Sequence, residues 1–201
     1  MASTDSSSCN ATTKLIGYLS FVTLPGAGIV GGLLLVNERA RPVEFHCTTP
    51  MPSSRVNEIL YGATHREALV ADQLGKALVN QARQSTKNAK RSIELLVTDD
   101  VDALGLRSQI TIPVTLLAND EDDRSEHADA SSSPERNHDS STLRTEWSFE
   151  IGGQCFTNGA DYPQDREVIR ACLTSLGSTW DLAEPFERIR DAINEAHRAA
   201  A

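Results

Sequence analysis

Aromatic residues are scarce in this chain: Phe, Trp and Tyr make up 5% of its 201 residues. Any core must therefore be mostly aliphatic. Cysteine is scarce too. Cys9, Cys47, Cys155 and Cys172 are scattered, with no C-x-x-C pair, so a zinc site of recognisable spacing is excluded. Long apolar runs are absent. The longest, Ile29 to Val36, is far short of the roughly 20 residues that span a bilayer. The opening "MASTDSSSCNATTK" lacks the apolar stretch of a secretory signal. These absences lead to the expectation of a cytoplasmic protein with reduced thiols and no membrane partner.

The net charge of -9 is unevenly spread. Up to Ala118 there are 11 Lys and Arg against 10 Asp and Glu; from Asn119 on there are 8 against 18. An acidic second part repels phosphate backbones, which gives the expectation of no nucleic-acid partner.

Residues 1–13 are Ser/Thr-rich without apolar periodicity and read as a disordered N-terminus. Residues 14–118 then carry the pattern of one α+β domain. "KLIGYLSFVTL", "IVGGLLLV" and "PVEFHCTT" read as strands, the last two joined by the polar turn "NERAR". "SSRVNEILYG" opens a helical stretch that Gly62 interrupts. Thr64-His65-Arg66-Glu67 matches a capping box, and Val70, Leu74, Ala77 and Leu78 continue at helical spacing towards Gln84. "SIELLVTD" and "QITIPVTLLA" read as strands around the short turn or helix "DVDALGL". Pro113 in the second lacks a ladder donor and favours an edge or bulge.

Residues 119–145 are rich in Asp, Glu and Ser and read as a disordered acidic linker. Residues 146–201 read as a small C-terminal β-α-α unit. It holds the strand "EWSFEIGGQCF", a helix striped by Val168, Cys172, Leu173 and Leu176 with Gly177 as cap, and a last helix striped by Phe186, Ile189, Ile193 and Ala196. The predicted architecture is α+β: an antiparallel sheet with a long helix packed on one face (β-β-β-α-β-β), followed after the linker by that small unit.

Gly26-Ala27-Gly28-Ile29-Val30-Gly31 spells G-x-G-x-x-G, the dinucleotide-binding fingerprint. That motif needs a helix immediately after the turn. Here the helix would contain Gly31, Gly32 and four consecutive apolar residues, Leu33 to Val36, with each glycine costing about 1 kcal/mol. A turn leading into a strand fits better, with Gly31 and Gly32 making a bulge or allowing close packing. No cofactor is expected.

"EFHCTT" is the most chemically suggestive stretch. On a strand Glu44, His46 and Thr48 share one face, while Val43, Phe45 and Cys47 share the other. Glu44 and His46 are candidate catalytic residues, a base and its orienter, or a pair of metal ligands. The alternative is a wet sheet face. Cys47, on the apolar face, reads as core. "TDDVD" adds Asp99, Asp100 and Asp102 at a strand end. Asp99 and Asp100 could complete a metal set with Glu44 and His46, or simply cap the following helix. His65, His127, His138 and His197 form no zinc spacing, and Arg188, Arg190 and Arg198 read as a solvated face interleaved with acids. Trp147 and Trp180 flank the C-terminal unit and read as core or domain contacts.

Three stretches, "RPVEFHCT" at Arg41 to Thr48, "NEILYG" at Asn57 to Gly62 and "DLAEPFERIR" at Asp181 to Arg190, resemble a family of uncharacterised bacterial proteins of planctomycete type. The resemblance implies a bacterial origin and carries no activity, cofactor or site residue. Since every catalytic motif has a bland structural explanation, the expectation is a non-enzymatic cytoplasmic binding or regulatory module whose partner is another protein. The alternative is a metal-dependent hydrolase using Glu44 and His46.

Overall fold

The computed structural model describes residues 12–118, 147–176 and 180–200. The predicted disordered N-terminus (but for its last two residues), the acidic linker 119–145, Cys9, His127, His138 and the Gly177 cap lie outside them.

Three strands open the fold: β1 (Thr13–Leu24), β2 (Gly28–Val36) and β3 (Pro42–Cys47). β2 and β3 pair antiparallel as the predicted hairpin, and β1 and β2 form a second one, Leu19 opposite Leu33, closed by a turn in which Ala27 N–H donates to the Leu24 carbonyl at 3.1 Å and Gly26 takes a φ of 75°. That backbone conformation favours glycine. The segment from Gly28 to Val36 is extended, not helical, so the glycine fingerprint is a hairpin turn.

A nearly continuous helical stretch follows: α1 (Arg55–Tyr61), a 3-10 turn (Gly62–Thr64), α2 (His65–Glu67), a π-helical stretch (Ala68–Gly75) and α3 (Lys76–Asn88). The predicted capping box does not form. Thr64 already lies within the helical run, and its hydroxyl donates back to the Tyr61 carbonyl at 2.9 Å. This long crossover returns the chain to lay β4 (Arg91–Thr98) parallel to β1, the geometry that such a connection permits and a short hairpin does not. A 3-10 helix (Val101–Ser108) then leads to β5 (Val114–Leu117), parallel to β4. The predicted strand over 109–118 is shorter in the structure because Ile110 and Ile112 are buried from a loop. Their alternation imitates a strand.

β6 (Ser148–Ile151) and β7 (Gln154–Asn158) join the same sheet, β7 antiparallel to β5. The result is one seven-stranded mixed sheet in the order β3-β2-β1-β4-β5-β7-β6. The α+β expectation holds at that coarse level, but the sheet is mixed rather than antiparallel. The residues after the linker are built into it, with α4 (Asp165–Ser175) and α5 (Glu184–Ala200) completing the chain.

Helices cover both faces. On one, Leu19, Leu33, Leu35 and Leu96 pack with Val70, Leu78 and Val79. On the other, Tyr18, Leu34 and Val97 pack with Ile169, Leu173, Phe186, Ile189 and Ile193 of α4 and α5. Burial from both sides explains why β1, β2 and β4 read as continuous apolar runs. Gly31 and Gly32 serve this sandwich. A Cβ on Gly31 would meet Leu78 of α3 at 2.9 Å, and one on Gly32 would meet Ile189 of α5 at 2.5 Å. No helix among the described residues is long and apolar enough to cross a membrane.

Candidate functional site

Open sheets with parallel strands place their reactive groups at the carboxyl ends of those strands. Here Leu19 of β1 stands beside Thr98 of β4, and the next residues are Ser20 and Asp99. The Ser20 hydroxyl donates to Asp99 Oδ2 at 2.9 Å, and Nη1 of Arg190, from α5, donates to the same oxygen at 2.6 Å. The Asp99 side chain is only 9% exposed. Its Oδ1 is buried with no hydrogen-bond partner among the described residues. Burial pushes the Asp99 carboxyl above the ordinary range, outweighing the Ser20 hydrogen bond and the Arg190 charge. A carboxyl so placed holds a proton more readily than an exposed one, which makes it an acid–base candidate.

Asp100 turns to the opposite layer. Arg66 of α2 forks onto it, Nη1 to Oδ1 at 2.8 Å and Nη2 to Oδ2 at 2.6 Å, and also bonds Asp102. The Asp100 hydrogen bond is the main cause that holds the Arg66 proton more firmly than usual. Asp100 also accepts from the Asp102 N–H at 3.0 Å and so caps the 3-10 helix, as the sequence led us to expect of Asp99 or Asp100. Two arginines from opposite helical layers thus meet one strand end. A cavity of about 480 Å³ opens between Tyr61, Glu67, Leu104, Gly105, Ser108 and Tyr162.

Glu44 and His46 do come together, His46 Nε2 lying 3.2 Å from Glu44 Oε2. Arg91 Nη1 donates to Glu44 Oε1 at 2.9 Å. Burial works to raise the Glu44 pKa, but hydrogen bonds from Ser85 and His46 and the charges of His46 and Arg91 bring it below the ordinary range. Glu44 is therefore a firmly ionised partner of a cation. The pair does not join Asp99 and Asp100. His46, Leu33, Leu19 and Thr98 form one row across four strands, a span of about 14 Å at the usual strand spacing. Moreover, Asp99 faces the α5 layer, whereas Glu44 faces Ser85 of α3. Among the described residues no three His, Cys, Asp or Glu side chains are grouped to hold a metal ion, and Glu44 and His46 are not brought together with Asp99 and Asp100.

Cys47, expected in the core, is exposed, since it ends β3, the edge strand of the sheet. Val43 joins the α3-side core instead, since a register shift between Leu35 and Val36 interrupts the alternation of β3. Arg190, expected on a solvated face, is the Asp99 partner. Ser20, Arg66 and Arg190 carried no sequence signal: Arg190 is 91 positions from Asp99 and Ser20 is 79.

No family model matches the sequence, and no curated protein does. Among solved structures, the chain is similar in fold to a crystal structure of human endonuclease V, with a TM-score of 0.55 over 94% of this chain and 87% of that one, at 13% identity. It is similarly close to the catalytic domain of human endonuclease V with substituted cysteines, with a TM-score of 0.55 over 94% of this chain and 85% of that one, at 14% identity. At such identity the likeness is one of fold. It nevertheless corrects two expectations, the non-enzymatic binding or regulatory module and the absence of a nucleic-acid partner, since both of the solved structures it resembles are of an endonuclease. The first had leaned on the bland explanation available for every catalytic motif, the second on the acidity of the chain from Asn119 on, which does not fix the potential at one strand end.

Proposed function

We propose that the chain is a nucleic-acid-processing enzyme that acts on the phosphodiester backbone at the carboxyl end of β4, beside Ser20 of β1. The observation that carries this reading is the endonuclease V-like fold over 94% of the chain. The buried carboxyl of Asp99 at that strand end supports it. In hydrolysis, water oxygen attacks phosphorus and gives up a proton, the bond from phosphorus to the leaving oxygen breaks, and that oxygen takes up a proton. Asp99 is the group placed to hold that proton, and Ser20 fixes the orientation of its carboxyl. Arg190, with a side chain 41% exposed, is free to turn from Asp99 to a non-bridging phosphate oxygen, where a guanidinium is a strong partner. No step is assigned to a metal ion, because the described residues do not group to hold one.

The test is a cleavage assay on end-labelled single- and double-stranded DNA and RNA, with magnesium or manganese in the buffer, resolved on a gel. Cleavage is expected, and Asp99→Asn is expected to slow it by about 10²-fold or more, the usual worth of a positioned acid or base, without weakening substrate binding. Neither binding nor cleavage of any of these substrates would sink the reading.

A further inference from the structure

A second cavity, of about 280 Å³, lies at the other end of β4, where α3 closes and the strand begins. Arg83, Lys87 and Arg91 line it, together with Thr86 and Ser92. Nη2 of Arg83 donates to the Thr111 hydroxyl at 3.2 Å, a neutral partner that positions the guanidinium without cancelling its charge. Lys87 makes no ion pair among the described residues. Only Arg91 is compensated, by Glu44. The other nearby acid, Glu94, accepts from Ser92 and lines a separate cavity with Lys14 and Cys172. The carbonyl end of α3 adds only about half a negative charge. Two uncompensated cations and a third half-engaged one therefore dominate the pocket.

We propose that this pocket is a phosphate-binding site that holds the backbone of a nucleic-acid strand away from the Asp99 end. The proposal rests on the nucleic-acid reading above and adds a second point of contact to it. Arg91 and Thr98 are the two ends of β4, about 23 Å apart at the strand rise. A strand advancing roughly 3.4 Å per nucleotide spans that distance with about seven nucleotides. Oligonucleotides longer than this engage both ends of the sheet.

The full chain is titrated with a labelled single-stranded 15-mer by fluorescence anisotropy over a salt series, and with inorganic pyrophosphate by thermal shift. The variant is Arg83→Ala/Lys87→Ala, two exposed positions. Arg55→Ala/Arg198→Ala, two exposed arginines away from the pocket, removes the same two charges and controls for net charge. The double variant is expected to bind the 15-mer about tenfold more weakly, with the salt slope reduced by about two, while the control binds normally. Pyrophosphate is expected to raise the Tm of the unaltered chain and not of the double variant. Equal 15-mer affinity in the double variant and the unaltered chain would overturn the proposal, as would an equal loss in the control. If the unaltered chain binds no oligonucleotide, pyrophosphate separates the two readings. A Tm rise that the double variant loses keeps the phosphate site and places the failure on the nucleic-acid function. No rise removes the site.

Discussion

Replacing Arg190 by alanine isolates the electrostatics of the Asp99 end. The side chain of Asp99 is 9% exposed and that of Arg190 41%, so the carboxylate loses its cationic partner while the lost arginine was itself in partial contact with water. Removing one partner of a fully buried pair costs about 3–5 kcal/mol. Solvent screening of the exposed arginine brings this down to about 2 kcal/mol at pH 7. For a chain of this length that is a fall in Tm of roughly 4–8 °C. The cost must depend on pH in one direction. Burial raises the Asp99 pKa above its ordinary value, so at low pH the group is protonated in both proteins and the arginine has nothing to neutralise. As pH rises through the folded-state pKa the carboxylate forms, and the difference between the two proteins grows. Urea unfolding of the unaltered chain, Arg190→Ala, Asp99→Asn and the double variant, each from pH 4 to 8, measures this as a double-mutant cycle. The reasoning is wrong if Arg190→Ala costs nothing at pH 7, or costs as much at pH 4 as at pH 8.

Three further outcomes follow from the same geometry. Gly32→Ala is expected to cost about 1–3 kcal/mol by overpacking, since its Cβ would lie 2.5 Å from Ile189 Cγ2; chemical denaturation reads this, and an unchanged midpoint would mean that α5 is not seated on β2. Glu44→Gln should reduce stability near neutral pH but make little difference in acid. The Glu44 pKa is lowered on folding, so its contribution is present above the unfolded value and disappears as pH falls through the folded one; thermal melts against pH check the sign. Asp165→Ala should cost several kcal/mol, about 3–5 by the measure of broken buried pairs. It strands Arg107, whose Nε donates to Asp165 Oδ2 at 2.6 Å and whose side chain is 15% exposed; equilibrium unfolding measures the loss.

Local pattern sufficed where local physics decides. The β2–β3 hairpin, the extended course of Gly28 to Val36 and the striped last helix were all legible, because turn chemistry and periodicity act over a few residues. The parallel pairing of β1 with β4 was not, because it depends on a crossover that no local pattern encodes. Glu44 and His46 could be paired on paper because strand geometry fixes i and i+2 on one face. The Ser20–Asp99–Arg190 contact could not, since three separate elements supply it. The capping box at Thr64 misled for a related reason: the motif is favourable only where a helix begins, and this helix had already begun at Arg55.

The placement of α5 has a consequence for how the chain is made. Phe186, Ile189 and Ile193 cover the face of β1 and β2 that carries Tyr18 and Leu34. Those strands leave the ribosome well over a hundred residues earlier. At about 5–20 residues per second, the nascent protein spends on the order of ten seconds with an oily surface bare, a window in which a chaperone that grips exposed leucine would find its natural client.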